Sequence, residues 1–206
     1  MAAALAAREY VSLYEVRIDL VGPDWRAIAR GLPRPWIACN RIASEGGQAD
    51  GPESVRTAVL REAAELGASI IDIELRADGL DSVVKWAKGH ALLLVSYHDV
   101  MGTPDVPVLD DIVSQQCAAG ADINKIVTTA HSPGDNVTML ELIARHRDLS
   151  MVSFAMGPLG MISRVLAPLA GARFVYASVA VGSEAAPGQL TVGDLRSMYE
   201  TLGVPE

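Results

Sequence analysis

The sequence predicts an α/β fold, a TIM-type (β/α)8 barrel in which parallel strands and helices alternate. Apolar runs of strand length recur along it, at 12–20 (SLYEVRIDL), 36–40 (WIACN), 69–75 (SIIDIEL), 91–97 (ALLLVSY), 123–129 (INKIVTT), 151–156 (MVSFAM) and 173–178 (RFVYAS). Helical patterns fall between them at about 23–31, 52–66, 79–88, 106–119, 134–147 and 159–169, with a last one at about 191–201. Strand–helix repetition implies parallel pairing, and this many units favour a barrel over an open dinucleotide-binding sheet. No G-x-G-x-x-G follows the first strand, which weighs the same way.

A chain of 206 residues, 50% hydrophobic and 20% charged, is expected to form a single domain over 1–206. A net charge of -8 and a pI near 5.0 argue against a nucleic-acid partner, because phosphate recognition needs a concentrated basic surface. The longest apolar runs, such as Ala91 to Val95, fall short of the roughly 20 residues of a membrane helix. The start MAAALAAREY has no basic region leading into an apolar stretch, so a cytoplasmic location is expected. Cys39 and Cys117 lack metal-type spacing and read as two buried thiols. With no H-E-x-x-H, paired cysteine ligands or phosphate-binding P-loop, no metal or cofactor is expected.

Side chains alternate sides along a strand, and this locates the chemistry. In LYEVRIDL, Glu15, Arg17 and Asp19 share one side and Tyr14, Val16, Ile18 and Leu20 the other. The apolar side must meet helices, so the charges point inward; Asp72, Glu74, Ser96, His98 and Lys125 follow by the same rule. Barrel interiors are normally filled by branched aliphatic residues, so ionisable groups gathered there suggest a site. A buried ion network is the competing explanation for Glu15, Arg17 and Asp19, and a hydrogen-bonded core histidine for His98. Of the lysines, Lys85 and Lys88 fit a solvated helix face, whereas Lys125 lies between isoleucine and valine in ADINKIVTTA.

A lysine in a partly desolvated pocket can attack a carbonyl and form a Schiff base. The protonated imine acidifies the neighbouring carbon, and a histidine can then remove its proton. Such a set suits α-deprotonation with elimination, or aldol cleavage.

The segments EVRID, RIASEGG, DIEL, SYHD, NKIVTTA, AMGPLGMISR and AAPGQ occur in one order across almost the whole chain. Order and approximate spacing resemble the E-x-R-x-D, R-x-x-x-E-G-G, D-x-E-L, S-x-H-D, K-I, M-G-x-x-G-x-x-S-R and S-A-P-G-Q motifs of class I 3-dehydroquinate dehydratases. The resemblance implies a hydro-lyase of the shikimate pathway whose small-molecule substrate is 3-dehydroquinate. Lys125 would form the imine at C3, and His98 would take the C2 proton and return it to the departing C1 hydroxyl, assisted by Glu45. Glu15, Arg17 and Arg41 match positions that hold the ring hydroxyls, Arg164 the arginine on the carboxylate, and Gln189 the glutamine of a closing loop. Met156 is similar to a methionine that lines the pocket. A homodimer is the assembly the family suggests. A Schiff-base aldolase and a barrel without turnover, serving as a binding subunit, are the rival expectations.

Three departures from the family pattern stand out. Tyr97 replaces an asparagine before the histidine, Val100 an aromatic residue after it, and Ala185 a serine near the carboxylate. In addition, only about a dozen residues precede the E-x-R-x-D strand, too few for the strand and helix that open family members. Ala2 to Tyr10 would be the remainder of that helix. The expectation is therefore seven strands, with a gap between 12–20 and 173–178 and weaker substrate affinity.

Overall fold

The computed structural model of the chain describes residues 2–33 and 35–204. It is an α/β protein of parallel strands and intervening helices. After the short helix α1 (Ala2–Ala6) come β1 (Tyr14–Arg17), α2 (Ile18–Val21), α3 (Trp25–Gly31), β2 (Trp36–Cys39) and α4 (Glu53–Glu65). There follow β3 (Ile70–Glu74), α5 (Leu80–Ala87), β4 (Leu92–His98), α6 (Val106–Ala119) and β5 (Ile123–Thr129). The last elements are α7 (Pro133–Arg145), β6 (Met151–Met156), α8 (Met161–Ala170) and α9 (Val192–Leu202). Strand order is β1-β2-β3-β4-β5-β6, so neighbours in sequence are neighbours in the sheet. The chain divides into two compact units, Met1–His98 with Val113–Asn124, and Asp99–Ile112 with Lys125–Glu206.

In the first unit β1, β2, β3 and β4 pair in parallel, with Arg17 opposite Cys39, Cys39 opposite Asp72, and Glu74 opposite Ser96. One parity of each strand enters a single apolar core: Tyr14 and Val16, Trp36 and Ala38, Ile71 and Ile73, Leu93 and Val95. These pack with Trp25 and Ala29 of α3, Leu60 and Ala63 of α4, and Val83 and Ala87 of α5. The opposite parity carries Glu15, Arg17, Cys39, Asp72, Glu74, Ser96 and His98. Inward-pointing charge, as inferred from period-2 alternation, is therefore the non-helical face of this part of the sheet.

In the second unit, α7 starts at a capping box: Ser132 and Asp135 satisfy each other's backbone N–H groups, and Pro133 occupies the first turn. Thr191 and Asp194 do the same for α9. Helix α8 is tied down by Ser163, whose N–H donates to Asn136 Oδ1 (2.9 Å) and whose Oγ accepts from Ala155 N (2.9 Å).

Three expectations are corrected. The first strand ends at Arg17, and Ile18–Val21 turns into a helix. Asp19 thereby leaves the strand alternation and folds back on Arg17, which donates to it from Nε (2.9 Å) and Nη2 (2.6 Å). The segment 173–178 is not a strand, so six strands rather than seven are present among the described residues. Arg173 N donates to Met151 O (2.7 Å), yet the next backbone pairing is a single bridge from Ser178 to Thr191; between them the rings of Phe174 and Tyr176 pack together. Of the two thiols only Cys39 is buried; Cys117, on α6, is exposed.

Candidate active site

In the first unit, Arg41 is the hub of a buried polar network, with 3% of its surface exposed. Its Nη1 donates to Glu74 Oε1 (2.8 Å) and Ser96 Oγ (2.6 Å), and its Nη2 to Asp72 Oδ1 (2.6 Å). Ser96 Oγ donates in turn to Asp72 (2.7 Å), while Arg56 reaches the other oxygen of Glu74 (2.7 Å). Burial alone would lower the pKa of Arg41, but Asp72, Cys39 and Glu74 raise it well above its ordinary value. The predicted binding residue Arg41 thus has both terminal nitrogens engaged by this internal network. Arg17 is likewise raised, because its bonds to Asp19 outweigh desolvation.

The E-G-G segment has a steric explanation. Glu45 closes a one-turn 3-10 helix, Ala43–Glu45, and Gly46 follows with φ 81, a left-handed conformation that suits glycine. A Cβ on Gly47 would lie 2.0 Å from Arg41 O, so the chain can cross Arg41 only without a side chain there. The turn places Glu45 Oε2 at 3.0 Å from the backbone N–H of His98 and 2.9 Å from its Nδ1. With Glu45 ionised, Nδ1 holds the proton and Nε2 carries the basic lone pair. Burial pushes the Glu45 pKa up to about 7; Arg41 opposes the shift and Glu74 reinforces it.

In the second unit, Lys125 sits on β5 with 5% exposure, whereas Lys85 and Lys88 are exposed. Lys125 Nζ lies 4.5 Å from the centroid of the Tyr176 ring. Arg164, on α8, is 2% exposed and stacks its guanidinium 4.2 Å from the Phe154 ring centroid. Its Nε and Nη2 are buried without a hydrogen-bond partner among the described residues, and burial alone lowers its pKa to about 10. Arg164 is still cationic at neutral pH, a planar donor suited to a carboxylate. Its placement depends on Gly160, where a Cβ would come 2.5 Å from Ala155 O. The P-G-Q loop docks similarly: a Cβ on Gly188 would lie 2.5 Å from Gly157 O, and Gly157 N donates to Pro187 O (3.2 Å). Gln189 Oε1 accepts from Ala185 N (2.7 Å), so its side chain stays within its own loop.

The structure therefore gathers Glu15, Arg17, Arg41, Glu45 and His98 in one unit, and Lys125, Met156, Arg164 and Gln189 in the other. His131, which follows β5, is exposed, with Nε2 2.7 Å from Met101 O. Phe154 and Tyr176 escaped the sequence reading. The alternation of RFVYAS carried a usable signal, since it sets Phe174 and Tyr176 on one side.

Each unit is thus a set of parallel strands and helices, one holding a carboxylate-backed histidine and the other a buried lysine and a buried arginine. The chain belongs to the type I 3-dehydroquinase family, whose model matches residues 1–206. A 3-dehydroquinate dehydratase of Dehalococcoides mccartyi is 39% identical over 201 residues, 98% of this chain and 90% of that protein. One from Methanothrix thermoacetophila is also 39% identical, over 98% of this chain and 86% of its own length. The crystal structure of the 3-dehydroquinate dehydratase of Geobacillus kaustophilus superimposes with a TM-score of 0.84 at 25% identity, covering 98% of this chain and 84% of that one.

Two outcomes follow from the Glu45 turn. Gly47→Ala should lower stability by ~1–3 kcal/mol, as overpacking does, and an unchanged urea midpoint would contradict the contact with Arg41 O. The unfolded chain releases the Glu45 proton near its ordinary value of 4.5 and the folded chain near about 7. Between those values the folded state holds more protons, so this residue's contribution to stability is full below about 4.5 and lost as pH rises through about 7. Urea titrations from pH 4.5 to 8 should show a downward slope that Glu45→Gln removes; equal slopes in both proteins would disprove the assignment.

Proposed function

We propose that the chain is a hydro-lyase that converts 3-dehydroquinate to 3-dehydroshikimate and water through a lysine imine, as one catalytic domain of the (β/α)8 type over 1–206. The carrying observation is Lys125, a lysine at 5% exposure on a strand of a chain matched over its full length by the type I 3-dehydroquinase family. The neutral amine of Lys125 adds to the C3 carbonyl, the carbinolamine oxygen leaves as water, and a protonated C=N bond remains. His98 takes the C2 proton, the electron pair moves towards the nitrogen, and C1–O cleavage follows with that proton passing to the hydroxyl. Water then hydrolyses the imine and restores Lys125.

Glu45 supports His98 through the bond to Nδ1, which fixes the tautomer and favours the imidazolium formed after proton removal. Arg164 receives the substrate carboxylate on Nε and Nη2, the atoms without a partner among the described residues. Arg41, Arg17 and Glu15 are assigned to the ring hydroxyls; for Arg41, held by Asp72 and Glu74, this means shaping the pocket as much as touching the ligand. Gln189 is assigned to the loop over the ligand. A cytoplasmic homodimer completes the proposal, to be checked by cell fractionation and light scattering. Among the described residues no helix is long and apolar enough to cross a membrane.

Borohydride reduction in the presence of 3-dehydroquinate or 3-dehydroshikimate should fix the ligand on Lys125, and peptide mapping should locate it there. Lys125→Ala should abolish both trapping and turnover while keeping the near-ultraviolet circular dichroism of the fold. His98→Ala should lose ~10²-fold or more in kcat and still trap, since only proton transfer is removed. Turnover by Lys125→Ala would end the imine reading. Arg164→Lys should raise KM about tenfold or more, because an ammonium cannot reproduce two parallel hydrogen bonds. An unaltered KM would move the carboxylate elsewhere.

A further inference from the structure

Phe154 and Tyr176 form an aromatic pair with a cation on each side. Their ring centroids are 6.1 Å apart with an interplanar angle of 62°, and Phe174 meets Tyr176 at 5.5 Å and 73°. Arg164 lies 4.2 Å from the Phe154 centroid and Lys125 Nζ 4.5 Å from that of Tyr176. Ordinary packing brings aromatic rings together, but it gives no reason to set a nearly buried lysine nitrogen over a ring. The π-face carries a negative quadrupole, which attracts a cation and is almost indifferent to a neutral amine. The two T-shaped contacts from Phe154 and Phe174 fix the Tyr176 ring in place, so its face stays beneath Nζ.

We propose that Tyr176 is a positioning residue for the imine step: its ring face holds the Lys125 nitrogen when that nitrogen is positively charged, above all as the iminium. The inference rests on the lysine-imine reading. In that step the neutral amine bonds to the ketone carbon. The carbinolamine hydroxyl takes up a proton and leaves as water, so one positive charge remains on the C=N nitrogen. The reacting amine and the carbinolamine are both neutral at nitrogen and the iminium is not, so the ring lowers the iminium relative to each of them. Removal of the adjacent C–H proton then sends an electron pair back to the nitrogen and discharges it. The ring therefore favours accumulation of the iminium rather than speed of proton removal, and its loss should appear in adduct population and KM more than in kcat.

The test replaces Tyr176 with phenylalanine and with its mono-, di- and trifluorinated analogues, which drain the quadrupole with little change of shape. Intact-protein mass measures the fraction of borohydride-trapped adduct at one subsaturating concentration of 3-dehydroshikimate. Tyr176→Phe should stay within about twofold of the native protein. Across the fluorinated series the logarithm of the adduct-to-free ratio should fall steadily, by about three- to tenfold in total, with KM for 3-dehydroquinate rising in step. A flat series on a protein that still forms the adduct would overturn the role of Tyr176 alone. No adduct on the native protein would remove the lysine imine, and this inference with it.

Discussion

A charge taken out of water must be matched, and the rest of this structure depends on how that constraint is met at Arg41. Its guanidinium is buried on the non-helical face of the first four strands, where Asp72, Glu74 and Ser96 surround it. These partners come from β3 and β4, so the network joins three consecutive segments by groups that cannot be removed singly. Loss of one member of a buried pair leaves an uncompensated charge, at a cost of about 3–5 kcal/mol. The same network sets the field felt by Glu45, lowering its pKa through Arg41 and raising it through Glu74, and Glu45 in turn holds His98.

Arg164 meets the same constraint in the opposite way. It is as buried as Arg41, but its company is an aromatic ring, and two of its nitrogens have no acceptor among the described residues. The two buried arginines therefore differ in their surroundings, carboxylates and a hydroxyl around Arg41 and an aromatic ring against Arg164. Glycines position both: Gly47 lets the chain cross Arg41, and Gly160 lets α8 approach β6 closely enough to present Arg164.

Much of this was legible beforehand, for identifiable reasons. Alternation placed Asp72, Glu74, Ser96 and His98 on one face because β3 and β4 are regular strands with one apolar side, and the helices carry clear end signals such as Ser132-Pro133. The alternation carries the expected first strand three residues past Arg17, because Ile18 and Leu20 continue it, and two residues before Tyr14; only the bonds of Asp19 to Arg17, Arg41 N and Gln48 N show why the chain turns. RFVYAS has the composition of a strand, but strand ladders need a partner at each step, which composition does not reveal. Nor could sequence show that Arg41 is surrounded by acceptors and Arg164 is not, since each stands as a lone arginine between a polar and an apolar residue.

The most direct measurement follows absorbance from the conjugated enone of 3-dehydroshikimate when the purified protein is mixed with 3-dehydroquinate in excess EDTA. The account predicts a steady rise, unaffected by the chelator, at a rate proportional to protein concentration. No rise, or one that disappears with EDTA and returns with added metal, would contradict it.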